Sequence, residues 1–366
     1  MSGKNTNHHF FLVVGEFRYK WYELEFLESL RSLNVECRGF NIWEKSAIFK
    51  YLLKIEYYFS FLGLASVFLY AKVFLELFKL RRRDVVLFFW RPTLINNTIL
   101  NIARLILNNK SIIVSYNNDN PFSIKYNQSK NLHQKLLWRK FIKTISNYDI
   151  SLVYRPSNFL DYQKVGASKI VLFPPGFPDS LIGKFTDTVI HTNNVVFIGY
   201  FEKKRLECIN YLIENRIDVK VYGTGWEDKL HANYKYGKVQ PIYGDKYFEV
   251  LNESKICLCF LSELNSDVYT RRNFEIPACR TVMLSERTPE LEDCFQENIE
   301  AVYFSNKEEC LLAVEMLLND ELLMDNIRKN SFGKSIIAKY NLNGRVEKLL
   351  KDLACNDNFK KKSLSK

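Results

Sequence analysis

The chain has 366 residues and a net charge of +11, with 47% hydrophobic and 15% aromatic residues. This length predicts two domains, and the apolar content excludes a wholly disordered chain. The charge raises nucleic acid, an anionic membrane or an anionic small molecule as partners. Nucleic acid is disfavoured, because no nucleic-acid-binding motif is present and the aromatic residues follow core spacing.

The cysteines indicate buried thiols in a reducing compartment. None of the eight forms a CxxC pair, and most stand in apolar runs such as "KICLCF". This usage differs from that of a disulfide framework or a zinc site. The N-terminus shows no secretory signal, so a cytoplasmic location is expected.

In chain order, residues 10–173 alternate short apolar runs with amphipathic ones. Strands are predicted at 10–14, 35–40, 84–90, 111–116, 149–154 and 169–173, and helices at 21–33, 46–80, 94–107, 133–146 and 156–166. Such alternation indicates a parallel sheet covered on both faces.

A proline-rich segment, 173–194, interrupts this rhythm before it restarts. Strands are then predicted at 195–200, 218–222, 255–261 and 281–286. Helices are predicted between them at 204–215 and 246–254, and after them up to about 352. We therefore expect an N-terminal domain over 1–174, a linker over 175–193, a second domain over 194–352 and a basic flexible tail over 353–366. Two Rossmann-like domains with parallel sheets would face a central cleft that holds a ligand.

Two turns of the second domain contain glycine directly after a strand. In "VVFIGYFEKKR", Gly199 lets a ligand approach the main chain and Arg205 stands in the first turn of the next helix, which suits phosphate. Glu202 in the same turn would repel an anion, and an ordinary strand–turn–helix is the alternative. In "VYGTGW", Gly223 either admits a nucleotide base or serves a tight turn.

The segment "SDVYTRRNFEIPAC" is the most informative. Seven residues separate Asp267 from Glu275, and a helix is predicted to begin near Thr270. Arg271, Arg272 and Glu275 share one side of this helix. The simplest interpretation is an internal Arg–Glu pair. However, apolar runs on both sides predict a buried helix, where arginines suit a diphosphate and a carboxylate suits a ribose diol.

The stretch "TRRNFEIPACRTVMLSERTPELEDCFQENIEAVYFSNKEECLLAVEMLLND" resembles the CgeB-like (spore-maturation-protein-like) glycosyltransferases of the GT-B class. The resemblance extends to "VVFIGYFEKKR", "VYGTGW", "LNESKICLCF", "NNDNPF" and "YDISLVYRPSNFLDYQKVGASKIVLFPPG". It covers most of 110–350, whereas the first hundred residues match only in pattern.

The resemblance implies a GT-B fold and a nucleotide-sugar, a UDP- or GDP-sugar, bound by the second domain. Glu275 matches the ribose-binding glutamate and Arg272 the phosphate-proximal arginine of the family. Asp267 matches the first acid of the E-x7-E motif, and Gly199 and Arg205 match the first donor loop. The sequence departs from the family pattern at Arg280, usually glycine, and at Leu291, often histidine.

In the first domain, Asp119 follows a predicted strand in "SYNNDNPF" and is the expected general base or acceptor anchor. An Asx turn before Pro121 is the alternative. Tyr154 and Arg155 follow another strand and are expected on the acceptor side. The sequence contains no DxD motif, and its five histidines show no ligand spacing. We therefore expect no metal and no cofactor.

An uncharged stretch, Tyr57–Ala71, is too short to span a bilayer. Seven basic and two acidic residues lie between Lys50 and Arg83, ending in "KLRRR". The stretch is predicted to be either a core helix or a helix on an anionic membrane surface.

The function expected from these observations is glycosyl transfer from a nucleotide-sugar to the hydroxyl of a glycan or lipid-linked acceptor, in the synthesis of a surface polysaccharide or glycoconjugate. The alternative is an inactive GT-B scaffold that binds nucleotide or glycan.

Overall fold

The computed structural model describes residues 9–42, 55, 58, 64–93, 95–186, 191–227 and 229–354. Its described residues divide into two compact units. The first comprises those of Met1–Pro174, Glu263–Ser266 and Leu342–Lys366, and the second those of Pro175–Ser262 and Asp267–Asn341.

The first unit contains a six-stranded parallel sheet of order β2-β1-β3-β4-β5-β6. Its strands are β1 Phe10–Gly15, β2 Cys37–Asn41, β3 Val85–Trp90, β4 Ile112–Asn117, β5 Ile150–Val153 and β6 Ile170–Leu172. The strands β1 and β3 are continuous apolar runs, and β1, β3 and β4 are buried along their whole length, as in a sheet covered on both sides by helices.

The helices of the first unit are short except for α2. A π-helical turn, Lys20–Leu24, leads into α1 Glu25–Ser32, and it is followed by α2 Leu64–Leu80, α3 Asn97–Ile106, α4 Ile124–Gln128, α5 Leu132–Leu136, α6 Arg139–Ile142 and α7 Asn158–Lys164. The single helix predicted over 133–146 is wrong, because it is broken into α5, α6 and a 3₁₀ turn. At its end, the Thr144 hydroxyl donates to the Phe141 carbonyl (2.7 Å) and so competes with the helical hydrogen bonds.

The second unit contains a five-stranded parallel sheet of order β11-β10-β9-β7-β8. Its strands are β7 Asn193–Ile198, β8 Val219–Tyr222, β9 Ser254–Cys259, β10 Val282–Glu286 and β11 Val302–Phe304. Its helices are α8 Lys203–Glu214, α9 Asp245–Asn252, α10 Arg272–Ala278, α11 Pro289–Cys294, α12 Lys307–Asn319 and α13 Glu321–Ile337. The three-residue strand β11 was not predicted from the sequence.

The last helix, α14 Leu342–Ala354, belongs to the first unit. It packs against α1 through an apolar face that includes Val346, Leu349 and Leu353. This differs from the expected boundary, which placed residues 342–352 in the second domain. The proline-rich segment likewise packs into the second unit from Pro175 onwards, where Asp179 accepts a hydrogen bond from Asn341 (2.5 Å).

The prediction of two α/β domains with parallel sheets is confirmed. In each sheet the second strand lies on one side of the first and the third strand lies on the other, so β1 and β3 are neighbours in one sheet and β7 and β9 in the other. The carboxyl ends of such a pair form the usual ligand-binding crevice of doubly wound sheets.

Candidate functional site

In the second unit, the carboxyl ends of β7 and β9 bring together residues that are distant in sequence. Gly199 and Tyr200 follow β7, while Ser262 follows β9 by three residues. The hydroxyl groups of Tyr200 and Ser262 lie 3.3 Å apart. The turn after β7 therefore contacts the turn after β9 at the reversal point of the sheet.

Gly199 lies directly beneath the Arg272 guanidinium. This group donates to the carbonyl of Ile198, the last residue of β7. A Cβ atom at position 199 would lie 2.5 Å from the Arg272 Nη1 atom. Glycine is thus required here for the close approach of the arginine, which α10 supplies from its first position.

Gly223 serves backbone packing. It has a φ of +147°, and a Cβ atom there would lie 1.8 Å from the Gly199 carbonyl oxygen. The indole N–H of Trp226 donates to the same oxygen (2.8 Å). Of the two interpretations of "VYGTGW", this geometry favours the tight turn.

Arg205 and Arg272 form a cluster of positive charge at this edge. The Arg205 side chain is only 1% exposed. Burial and the neighbouring Arg272 guanidinium lower the pKa of Arg205 below its ordinary value. Because an arginine remains protonated at physiological pH, this shift reflects an unfavourable electrostatic environment that a bound anion would relieve.

Glu275 is held by two partners. The Arg271 Nε–H donates to its Oε1 atom (2.5 Å), and the Tyr247 hydroxyl, from α9, donates to its Oε2 atom (2.9 Å). Burial, together with the Glu275 carboxylate, raises the pKa of Tyr247, so its hydroxyl remains a donor. The internal Arg–Glu pair considered from the sequence is therefore present, formed by Arg271.

Thr270 and Asp267 precede α10. The Thr270 N–H and hydroxyl both donate to the side-chain oxygen of the buried Asn273, at 2.8 and 3.1 Å, so Thr270 helps to fix the start of the helix. The Asp267 N–H donates to the Ser262 carbonyl (3.1 Å). This bond places Asp267 beside the turn after β9.

Sequence reasoning missed Glu286, the last residue of β10. The nearly buried Glu286 side chain accepts the Leu261 N–H through Oε2 (2.6 Å), and its Oε1 atom lies 2.5 Å from the Lys204 Nζ atom. It therefore links the turn after β9 to the first turn of α8. The sequence feature that could have identified Glu286 is its position at the carboxyl end of a predicted strand.

The two departures from the family pattern have structural roles. Arg280 has a φ of +59°, the left-handed conformation that glycine adopts most easily. Its guanidinium stacks on the Phe332 ring at 3.8 Å, and its Nε–H donates to the Phe185 carbonyl (3.0 Å). Leu291 is fully buried in α11.

In the first unit, Asp119 lies just beyond the carboxyl end of β4. Arg91, which follows β3, donates its Nε–H to the Asp119 Oδ2 atom (2.8 Å), and Asn265 donates to the Oδ1 atom (3.3 Å). The Asp119 N–H also donates to the Asn117 side chain (3.2 Å), so Asn117 is the residue that forms an Asx turn here. The Asp119 carboxylate itself accepts from side chains, and its role as a base or acceptor anchor stays a prediction.

Tyr154 and Arg155 follow β5 but are both buried. The Arg155 guanidinium lies 4.7 Å from the centroid of the Tyr154 ring. Their burial gives them packing contacts within the first unit, and a role towards an acceptor remains a prediction.

The described ranges lack both a metal-binding cluster and a membrane-spanning helix. They contain no group of three His, Cys, Asp or Glu side chains placed to hold a metal ion. No helix in these ranges has the length and apolar character needed to cross a membrane. Of the stretch Tyr57–Ala71, Tyr57 and residues 59–63 lie outside the described residues.

Comparisons with known proteins agree with this geometry. Residues 205–351 match the family model described as "Glycosyl transferase-like". A glycosyltransferase from Rickettsia africae has a similar structure, with a TM-score of 0.61 and 12% identity over 95% of this chain and 98% of its own. Anabaena HepE in complex with UDP-glucose has a TM-score of 0.62 and 10% identity over 95% of this chain and 100% of its own.

Sucrose-phosphate synthase from Thermosynechococcus elongatus has a TM-score of 0.57 and 11% identity over 94% of this chain and 99% of its own. No curated protein matches the sequence. At these identities the structural similarity establishes the fold, and the resemblance to the CgeB-like group stays a prediction. The chain has the GT-B fold, and its residues 205–351 match a glycosyl transferase-like family model.

Proposed function

We propose that the protein transfers a sugar from a nucleotide-sugar to an acceptor hydroxyl. The observation that carries this proposal is the pair of guanidinium groups, Arg205 and Arg272, at the carboxyl ends of β7 and β9. Two adjacent cations, of which Arg205 is buried and Arg272 is half-buried, are a site for a polyanion. In this function the polyanion is the diphosphate of the donor, which leaves with the nucleotide.

Glu275 is the proposed partner of the nucleotide ribose. Each carboxylate oxygen has two lone pairs, and in the structure each accepts one protein hydrogen bond. The remaining lone pairs can accept the two ribose hydroxyls. Arg271 and Tyr247 then orient the carboxylate for the diol.

In the proposed reaction, the acceptor oxygen forms a bond to the anomeric carbon while the bond from that carbon to the diphosphate oxygen breaks. The electron pair and negative charge stay on the diphosphate, which Arg272 and Arg205 stabilise. The acceptor proton passes to a base, for which Asp119 and Asp267 are the proposed groups.

UDP is the nucleotide proposed for the first tests, because HepE is a similar structure solved with UDP and with UDP-glucose. A GDP-sugar is the second choice. We also propose that no metal is needed, since the arginines supply the positive charge that a divalent cation would otherwise bring to the diphosphate.

The acceptor is proposed to be a glycan or a lipid-linked glycan that is assembled at the cytoplasmic face of a membrane. In support, the exposed face of α2 carries Leu75 and Phe78, which are 65% and 57% exposed. The exposed Lys72, Lys79 and Arg82 lie close to them in the sequence. Large apolar side chains next to cations fit the surface of an anionic bilayer.

The proposed donor site is tested by nucleotide binding. Arg272→Ala should weaken UDP binding by about 1–3 kcal/mol, the range for charge-assisted hydrogen bonds, and leave the weaker binding of uridine unchanged. Glu275→Ala should weaken both ligands by a similar amount and leave 2′,3′-dideoxy-UDP unaffected. Titration calorimetry measures each affinity.

The matched control is Glu292→Ala, which removes from α11 a carboxylate that is paired with Arg287. It should bind UDP normally. If Arg272→Ala or Glu275→Ala binds UDP as tightly as the unmodified chain, the donor site is wrongly assigned. The inactive-scaffold alternative predicts nucleotide binding without release of UDP from any UDP-sugar in the presence of acceptor.

A further inference from the structure

A carboxylate of the chain itself lies against the proposed anion site. Glu202 precedes α8 at the N-cap position, yet its side chain does not cap the helix. Its Oε1 atom instead lies 3.0 Å from the Arg205 Nη2 atom and accepts the Tyr200 hydroxyl (2.5 Å). Glu202 therefore neutralises one of the two clustered arginines.

Tyr200 completes a cover over Arg205. The Tyr200 ring centroid lies 4.7 Å from the guanidinium carbon, and the Tyr200 carbonyl accepts a hydrogen bond from Nη1 (3.0 Å). Tyr200 is 47% exposed, whereas Arg205 is almost completely buried. A ligand from solvent therefore meets Tyr200 and Glu202 before it meets Arg205.

Arg205, which lies beneath this cover, can still donate a further hydrogen bond. Its buried Nε–H has no hydrogen-bond partner among the described residues. A buried donor without a partner is costly, so the site is poised for an additional acceptor. The first turn of α8, which lacks a side-chain cap, directs its free N–H groups to the same place.

We propose that Glu202 is an internal counter-ion that a diphosphate displaces when it binds. This inference rests on the proposed function and adds the group that sets the affinity and selectivity of that site. In the unbound protein Glu202 pairs with Arg205 beneath Tyr200. On binding, the diphosphate oxygens take the place of the carboxylate at the guanidinium and at the start of α8.

Selectivity for the diphosphate follows from this exchange. A ligand must compensate for the lost Glu202–Arg205 pair and for repulsion by the displaced carboxylate. A diphosphate carries enough charge to do both, whereas a monophosphate carries less and a nucleoside carries none. Glu202 would thus keep the site from filling with singly charged anions.

The test removes the charge of Glu202 but retains its shape. Glu202→Gln should bind UDP and inorganic pyrophosphate about fivefold more tightly, as expected for the loss of one negative charge about 4 Å away that is screened as in bulk water. Affinity for UMP should rise less, and affinity for uridine should not change. The gain should shrink at high salt. Calorimetry measures the affinities, and thermal unfolding confirms that the variant is folded.

Two further variants sharpen the result. Glu207→Gln removes a carboxylate from the same helix, where it pairs with Lys203 (3.7 Å), and should leave UDP affinity unchanged. Tyr200→Phe removes the hydroxyl that anchors Glu202 but keeps the ring and the charge, and should tighten UDP binding by a smaller factor.

The outcomes are distinguishable. If the unmodified chain binds UDP but Glu202→Gln binds it equally or more weakly, Glu202 only anchors Arg205 and the counter-ion role is wrong. If the unmodified chain binds neither UDP, GDP nor pyrophosphate, the proposed function fails and the inference fails with it.

Discussion

At the residue scale, two glycines determine how the turns after β7 and β8 pack. Gly223→Ala would force a Cβ atom into the Gly199 carbonyl at a φ of +147°. We expect it to lower the free energy of unfolding by about 2–4 kcal/mol, because backbone strain adds to the steric clash. Urea denaturation, followed by tryptophan fluorescence, measures the change.

Gly237→Ala is the matched control for this substitution. Gly237 also has a positive φ, +66°, but nothing lies within 4 Å of the site of a Cβ atom. Its replacement should therefore cost only about 1 kcal/mol of backbone strain. Equal losses in the two variants would show that contact with Gly199 contributes nothing.

Sequence reasoning at this scale found the residues that follow strands, and it missed their partners. Arg205, Arg272 and Glu275 stand in recognisable turns, so they could be named in advance. Tyr247 could not, because nothing in "KYFEVLNES" shows that its hydroxyl reaches a carboxylate 28 residues further along the chain. Such pairings depend on how helices pack, which local sequence does not encode.

At the element scale, the exposed face of α2 is the feature with a testable function. The unmodified chain should cosediment with phosphatidylcholine vesicles that contain phosphatidylglycerol, and less in high salt. The double substitution Leu75→Ser and Phe78→Ser should abolish cosedimentation, because it removes the apolar contact with the bilayer. Replacing Arg81 and Arg82 by glutamate should do the same through charge.

Leu312→Ser with Leu322→Ser is the control pair, since both leucines are exposed on helices of the second unit. This pair should leave cosedimentation unchanged. If the unmodified chain stays in the supernatant with neutral and anionic vesicles alike at low salt, α2 does not bind membranes.

Whether a segment forms a helix or a strand was easier to predict than the residues at which it begins and ends. Continuous apolar runs such as Val85–Trp90 identify buried strands by composition alone. The π-helical turn at Lys20–Leu24 and the break near Thr144 were not predicted, because hydrophobic periodicity does not detect such local departures from α-helical hydrogen bonding. The strand β11 was missed because three residues are too few to show a hydrophobic periodicity.

At the scale of the whole molecule, the net positive charge of the chain suggests that the reaction needs no metal ion, and this expectation can be tested. Because Arg205 and Arg272 are proposed to bind the diphosphate, the transfer rate should be unchanged by saturating EDTA, measured as UDP release from a UDP-sugar with acceptor. A loss of activity that Mn²⁺ or Mg²⁺ restores would overturn this expectation. A Mg²⁺-dependent UDP-sugar transferase assayed in parallel confirms that the chelation is complete.

The division into two sheets was visible in the sequence because strands and helices alternate twice around a proline-rich segment. The position of α14 was not visible. The spacing of Val346, Leu349 and Leu353 predicts that one face of the helix is buried. The same spacing would result whether the helix packed against the first unit or the second.

The place of α14 has a consequence for how the protein is made. The first unit is built mostly from the N-terminal half of the chain, yet its α1 packs against a helix that begins at Leu342. On the ribosome, the strands of the first sheet emerge long before this helix does. Until α14 emerges, the apolar surface that it covers on α1 stays exposed to solvent and is open to chaperones. The N-terminal unit therefore completes its folding after the whole of the second unit has been synthesised.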